Sequence, residues 1–171
     1  SNNMLHITFK AFTMKEPKRF LVEPYCVKMS AQRWYMLARN TEHKNLRLYY
    51  LDRIEAVEIS NTRFVLPDDF NAKDYFAEFF GIVLDESVPL QTIILRADKY
   101  HQNYMRTLPL HPTQREIFAC DDYADFELKL RPTYDFYMKL MSFGNMIKVL
   151  EPKNLQEEIC KWLENTIEMY R

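Results

Sequence analysis

Glycine is scarce in this chain, with two residues, Gly81 and Gly144, among 171. Average usage of about 7% would supply about twelve. Loops that cradle phosphates or dinucleotides need several closely spaced glycines, because the backbone must approach the ligand closely. The composition therefore excludes nucleotide sites of the P-loop and Rossmann types.

Long apolar runs are missing as well, and no segment approaches the roughly 20 residues of a membrane-spanning helix. No signal-peptide pattern opens the chain, and residues 1–3 resemble an expression remnant. The cysteines Cys26, Cys120 and Cys160 are odd in number and far apart, as expected for reduced thiols. These absences predict a cytoplasmic protein with no membrane partner.

Common catalytic and metal-binding patterns are also absent. The sequence has no G-x-S-x-G or H-E-x-x-H stretch, and its histidines and cysteines lack metal-site spacing. Asp121, Asp122 and Asp125 lie close together without the spacing of a calcium loop, in a stretch typical of a hairpin turn. For His111 a hydrogen-bonded structural role is favoured over a catalytic one. We therefore expect no enzyme activity, no cofactor and no metal.

Charge and aromatic content carry the positive signals. Apolar residues make up 47% and aromatic residues 15% of the chain, which predicts a folded core. Residues 1–60 hold ten Lys/Arg against six Asp/Glu, a net charge of +4, whereas residues 61–88 carry −4 and residues 89–171 carry −1. A basic first segment favours an anionic partner, although a charge of this size also occurs on ordinary solvated surfaces.

The order of predicted elements indicates an α+β protein with two folded parts. Residues 4–60 contain about five short alternating strands, including 6–12 and 33–39, which predicts a small antiparallel β-barrel. Residues 61–88 are predicted to be an acidic, aromatic linker with a helical turn. Residues 89–171 follow the order strand-helix-strand-strand-helix-strand plus a helix opening at Asn154, which predicts a ferredoxin-like α/β sandwich.

Several segments resemble one known family. Residues 33–37, Arg-Trp-Tyr-Met-Leu, are similar to the motif that names the WYL domain, with Met36 in place of leucine. Residues 22–25 resemble the family's proline-bearing strand, and residues 49–54 its "FRLDRI" stretch, with Tyr50 in place of an arginine. The resemblance continues through the extension that usually follows a WYL domain, in segments 110–114, 143–144 and 149–152.

The resemblance implies an Sm-like, SH3-type barrel in the sensing part of a bacterial transcriptional regulator. It also implies an oligonucleotide or nucleotide-like effector bound on the barrel and a homodimer. Such regulators commonly contact DNA through a winged helix-turn-helix, and nothing in this chain resembles that motif. Two rival functions stay open: a non-catalytic dimerisation or interaction module, and an accessory domain of a nucleic-acid enzyme.

Strand alternation divides the candidate site residues between two faces. Trp34 and Met36 share one face and are predicted to lie in the barrel core. Arg33 and Tyr35 share the other, where rings stack on bases and guanidinium groups bind phosphate. Arg47 repeats this pattern on the next strand.

Arg53 has two interpretations, a local ion pair with Asp52 or a ligand contact; the resemblance supports the second, and both stay open. The remaining ligand candidates are expected to line the same mouth: Tyr25, Lys28 and His6.

Overall fold

The computed structural model describes residues 2–171 and divides into two units. One unit runs to Ala72 and the other from Lys73 to Arg171. Each contains one antiparallel sheet, and helices pack beside the second sheet, so the predicted mixed α and β architecture is confirmed. Ser1 lies outside the described residues, and Asn3, assigned to an expression remnant, begins the first strand.

The first unit is a five-stranded antiparallel sheet in the order β4-β3-β2-β1-β5. Its strands are β1 (Asn3–Phe9), β2 (Lys18–Ser30), β3 (Arg33–Asn40), β4 (Leu46–Tyr50) and β5 (Ile54–Arg63). A single 3₁₀ turn, Leu51–Arg53, joins β4 to β5. Because β4 and β5 form the two ends of the strand order, the described strands make an open sheet and not a closed barrel.

Strand β2 is long because a bulge lets it continue past a proline. Its register with β3 shifts between Pro24 and Cys26. Proline has no amide hydrogen to donate, so a bulge is one of the few places where a sheet tolerates it. Beyond the bulge, Lys28 lies opposite Tyr35, which in turn lies opposite Tyr50 of β4.

The core of the first unit lies on one face of the sheet. It consists of Ile7, Phe9, Phe20, Val22, Met36, Ala38 and Tyr49. Met36 is buried as predicted, but the assignment of Trp34 to the core is wrong, since 52% of it is exposed. Trp34 pairs with Met29 near the tip of the β2–β3 hairpin, beyond the reach of the core.

Strand β1 ends earlier than predicted, at Phe9 and not at residue 12. The amide of Lys10 donates to the carbonyl of Arg53, and a turn follows in which Met14 N–H donates to the carbonyl of Ala11. Phe12 therefore lies in a loop and not in the sheet.

The second unit contains four strands and four helices. A short helix, α1 (Ala72–Phe76), begins at the boundary, and the remaining elements are β6 (Gln91–Asp98), α2 (His101–Thr107), β7 (Arg115–Ala119), β8 (Tyr123–Leu130), α3 (Tyr134–Met141), β9 (Ile147–Glu151) and α4 (Lys153–Glu168). The sheet order is β7-β8-β6-β9, with every neighbouring pair antiparallel. Its core lies between this sheet and helices α2, α3 and α4, around Leu95, Phe126, Phe136 and Leu155.

The end of α3 and the start of α4 are stabilised in different ways. Gly144 has φ of 58°, and its amide donates to the carbonyl of Met141, as expected of a glycine that follows a helix. The helix start predicted at Asn154 is wrong by one residue, because α4 already begins at Lys153 with Pro152 as its N-cap. The carbonyl of Pro152 accepts from the amides of Leu155 and Gln156 and so begins the hydrogen-bonding of the helix.

The predicted linker is packed at both of its ends. Within the first unit, the Tyr25 ring stacks parallel to Phe64, with centroids 6.1 Å apart, and meets Phe70 edge-on at 4.9 Å. Within the second unit, the amides of Ile82 and Val83 both donate to one carboxylate oxygen of Asp135. These contacts satisfy backbone groups and cover aromatic surface that a free linker would leave in water.

Candidate functional site

An arginine held between two aromatic rings forms the centre of the candidate site. The Arg53 guanidinium carbon lies 3.7 Å from the ring centroid of Phe12 and 3.7 Å from that of Tyr50. The 3₁₀ turn places Arg53 beside Tyr50, and the Lys10 amide fixes its carbonyl. Guanidinium groups stack favourably on aromatic faces, so this geometry holds the side chain in place.

The side-chain nitrogens of Arg53 donate to no protein acceptor among residues 2–171. Its Nε is buried without a hydrogen-bond partner. Its two terminal nitrogens also donate to no described group, and they are not sealed from solvent as Nε is. The edge of the guanidinium is therefore free to bind an external acceptor while both of its faces are covered.

The ion pair considered for Arg53 is made by a different arginine. Asp52 lies 3.5 Å from Arg33, with both side chains about half exposed. The local Asp52–Arg53 pair is therefore wrong. Because this exposed Arg33 pair contributes little free energy, an incoming anion can replace Asp52 at small cost.

Tyr35 and Lys28 support the site from the neighbouring strands. Tyr35 is 3% exposed, and its ring meets Tyr50 at 4.8 Å between centroids. Burial raises the pKa of Tyr35, and the nearby Tyr50 raises it further. Tyr35 therefore supports Tyr50 from behind and presents no stacking face of its own. Lys28 lies directly opposite Tyr35, and burial lowers its pKa.

These residues bring positive charge and aromatic surface together in one place. The group called the Arg53 cluster below consists of Phe12, Lys28, Arg33, Tyr35, Tyr50 and Arg53. Arg33 pairs with Asp52, whereas Arg53 pairs with no carboxylate among residues 2–171, so an uncompensated positive charge favours an anion. A phosphate can bind the Arg53 edge, since a guanidinium fork matches phosphate oxygens.

The other predicted ligand residues lie elsewhere in the sheet. Arg47 is exposed and lies opposite Ala38, so strand alternation directs it away from the face that carries Tyr35 and Tyr50. His6 lies in β1 opposite Leu21, three residues or about 10 Å before the strand reaches Phe9.

Tyr25 also lies outside the Arg53 cluster, since its ring packs against Phe64 and Phe70. Tyr50 and Phe12 join the cluster although sequence reasoning did not select them. Tyr50 stands where the family motif has an arginine, and Phe12 falls at the end of a predicted strand.

No group of three His, Cys, Asp or Glu side chains in residues 2–171 is arranged to hold a metal ion. Asp125, one of the three clustered aspartates, accepts hydrogen bonds from Nε and Nη2 of Arg96 at 2.8 and 2.9 Å. In the same range, no helix is both long enough and apolar enough to span a bilayer.

Two protein-family models match the chain, one on each side of the central segment. The WYL domain matches residues 1–59 and the WCX domain matches residues 89–167. The two folded units thus define a WYL–WCX two-domain protein. The chain thus carries a WYL domain in its first unit and a WCX domain in its second.

Two solved structures are similar to this chain at low sequence identity. A CRISPR Cas-related protein is 13% identical over 99% of this chain and 48% of its own, with a TM-score of 0.59. The proteasome accessory factor B/C (PafBC) of Arthrobacter aurescens is 19% identical over 92% of this chain and 24% of its own, with a TM-score of 0.42. The chain thus spans about half of the first of these proteins and about a quarter of the second. No curated protein sequence matches it.

Proposed function

We propose that this chain is the ligand-sensing part of a transcriptional regulator and that its first unit binds an oligonucleotide or nucleotide-like effector at the Arg53 cluster. The observation that carries the proposal is the state of Arg53, whose faces are covered by rings and whose edge has no protein acceptor. Buried polar groups are normally hydrogen-bonded, so an unpartnered guanidinium edge points to an acceptor supplied from outside.

Charge supports a phosphate as that acceptor. Arg33 adds a second guanidinium group to the cluster, and residues 1–60 carry a net charge of +4. The WYL and WCX matches support a regulatory sensing role over an enzymatic one. We propose that the chain has no catalytic activity and acts in the cytoplasm.

We also propose a more specific fold for each of the two units. The strand order β5-β1-β2-β3-β4 supports an Sm-like, SH3-type arrangement for the first unit, with its two end strands unpaired. In the second unit, the order β9-β6-β8-β7 places the fourth, first, third and second strands side by side, with a helix after the first and third. That order supports the ferredoxin-like sandwich.

The second unit is proposed to join two copies of the chain and to transmit effector binding to an attached helix-turn-helix domain. Helix α4 supports this role, because Leu163 and Ile167 lie one turn apart and are 40% and 51% exposed. An exposed apolar stripe of this kind is typical of an interface.

The proposal is tested by titrating the protein with fluorescein-labelled single-stranded DNA and RNA and with cyclic nucleotides. Arg53→Ala should weaken binding about ten- to one-hundred-fold, the loss expected for charge-assisted hydrogen bonds. Arg47→Ala serves as the matched control, since it removes the same charge from outside the cluster, and should change affinity about threefold or less. Equal losses in the two variants would show that only net charge matters and would contradict the site.

A pure interaction module is the second candidate, favoured by one surface. Val27, Met29 and Trp34 are 52–62% exposed; Met29 pairs with Trp34 across the β2–β3 hairpin, and Val27 lies two residues before Met29 on the same strand. If this hairpin patch rather than the Arg53 cluster is functional, Trp34→Ser will disrupt assembly in light scattering, and no nucleotide ligand will bind. An accessory role in a nucleic-acid enzyme would instead require ligand binding together with a catalytic neighbour domain.

A further inference from the structure

Phe12 has an arrangement that the proposed function does not explain. It is 83% exposed, yet one face of its ring covers the Arg53 guanidinium. The turn that carries it is closed by the Met14 amide, which donates to the carbonyl of Ala11. The loop thus fixes a large apolar ring whose outer face meets only water, which costs free energy unless a ligand covers that face.

The ring is the last layer of an ordered stack. Tyr35 packs edge-on against Tyr50, Tyr50 lies against one face of Arg53, and Phe12 lies against the other. The buried end of this stack is rigid, because Tyr35 is 3% exposed. A planar base added to the open end would continue the same alternation of flat groups. Stacking of a base on an aromatic side chain is favourable for every base, since each has a π face.

We propose that Phe12 is the base-stacking residue of the effector site, with a phosphate of the same strand bound at the terminal nitrogens of Arg53. This inference rests on the proposed function and adds the base to the phosphate. A base can stack on the outer face of Phe12 only if one of its own faces is open, so bases inside an intact helix, which are stacked on both sides, are excluded from this contact.

The test compares two fluorescein-labelled strands of equal length, oligo-dT and an abasic deoxyribose-phosphate strand, which carry the same phosphates. The wild-type protein should bind oligo-dT about five- to one-hundred-fold more tightly than the abasic strand, the range expected for one base–aromatic contact. Phe12→Ala should bind oligo-dT nearly as weakly as the abasic strand, and Phe12→Tyr should keep the preference. Tyr100→Ala is the matched control, since it removes a ring that is 73% exposed in the second unit.

The outcomes separate this inference from the proposed function. If the wild type binds both strands equally, or if Phe12→Ala keeps the full preference, the phosphate site stands and the role of Phe12 is wrong. Tighter binding by Phe12→Ala would mean that the ring blocks the site, which also overturns the inference. If the wild type binds neither strand, the proposed function fails and the stacking role fails with it. Circular dichroism of each variant verifies that the exposed substitutions leave the fold intact.

Discussion

Arg53 forms no ion pair among residues 2–171. In this it differs from Arg19, Arg33 and Arg39, each of which pairs with a carboxylate. Aromatic rings hold Arg53 instead, so its side chain is fixed without its charge being neutralised. A fixed but unneutralised guanidinium loses little conformational entropy on binding an anion, because its orientation is set in advance. This single side chain therefore accounts for most of what the first unit is proposed to do.

His111 shows the opposite behaviour, because its surroundings disfavour its charge. It is 4% exposed, its Nδ1 accepts a hydrogen bond from the amide of Thr113, and its Nε2 lies 3.3 Å from the carbonyl of Phe79. Burial lowers the pKa of His111. The ring is thus held neutral by packing, in the structural role that the sequence favoured.

The lowered pKa predicts a pH-dependent stability. In the unfolded chain this histidine takes up a proton below about pH 6.5, whereas the folded chain resists protonation. The free energy of unfolding should therefore be highest above pH 6.5 and fall as the pH drops, by at most about 1.4 kcal/mol per pH unit from this group. Urea unfolding between pH 7.5 and 5.5 measures it. His111→Gln should reduce the slope, and His43→Gln, an exposed control, should not; equal slopes in all three proteins would contradict the assignment.

At the scale of elements, the scarcity of glycine has a structural cost. The β2–β3 hairpin turns through Ala31 and Gln32, with φ of 45° and 63°. Two-residue hairpin turns with positive φ at both positions favour Asn-Gly, because side chains with a Cβ are strained there. The turn is nonetheless formed, since the long ladder between β2 and β3 holds both of its ends.

Relieving this strain should stabilise the first unit. The double change Ala31→Asn/Gln32→Gly is expected to raise the free energy of unfolding by about 1–2 kcal/mol, because both new residues adopt positive φ more readily. Thermal unfolding followed by circular dichroism measures the gain. As a control, Glu42→Gly places glycine in the β3–β4 loop without a positive φ to relieve, and it should give no gain. A loss of stability in the double variant would mean that the Ala31 or Gln32 side chain makes contacts worth more than the strain.

On the scale of the whole molecule, two units with separate cores are proposed to divide the work of a sensor. The first carries the Arg53 cluster, and the second carries the exposed end of α4. Association of two copies through α4 would tie effector binding to assembly, which is how a regulator with a symmetric DNA target is expected to operate.

This assembly gives a prediction for the intact protein. Leu163→Glu/Ile167→Glu places two charges on the apolar stripe of α4, so the proposed dimer should dissociate at least tenfold more readily in light scattering at matched concentrations. Leu155 is fully buried and is left unchanged, so the helix should stay folded. Lys161→Glu, an exposed position two residues before Leu163 in α4, is the control for charge alone. A dimer unaffected by the double change would place the interface elsewhere.

The sequence determined the order of elements and much of their character, because hydrophobic periodicity is a local property. It predicted the alternation of strands in the first unit and the order of strands and helices in the second, and its motifs led to the WYL family. It also predicted the buried position of Met36.

Only the tertiary structure decided which charged and aromatic side chains meet. The two rings around Arg53 come from a loop and from the end of β4, and the position of Phe12 follows from the early end of β1. The exposure of Trp34 depends on where the core ends along the hairpin, and alternation alone cannot fix that point. Partners of a side chain are set by loop paths and sheet register, which join residues far apart in the chain, so no local pattern contains them.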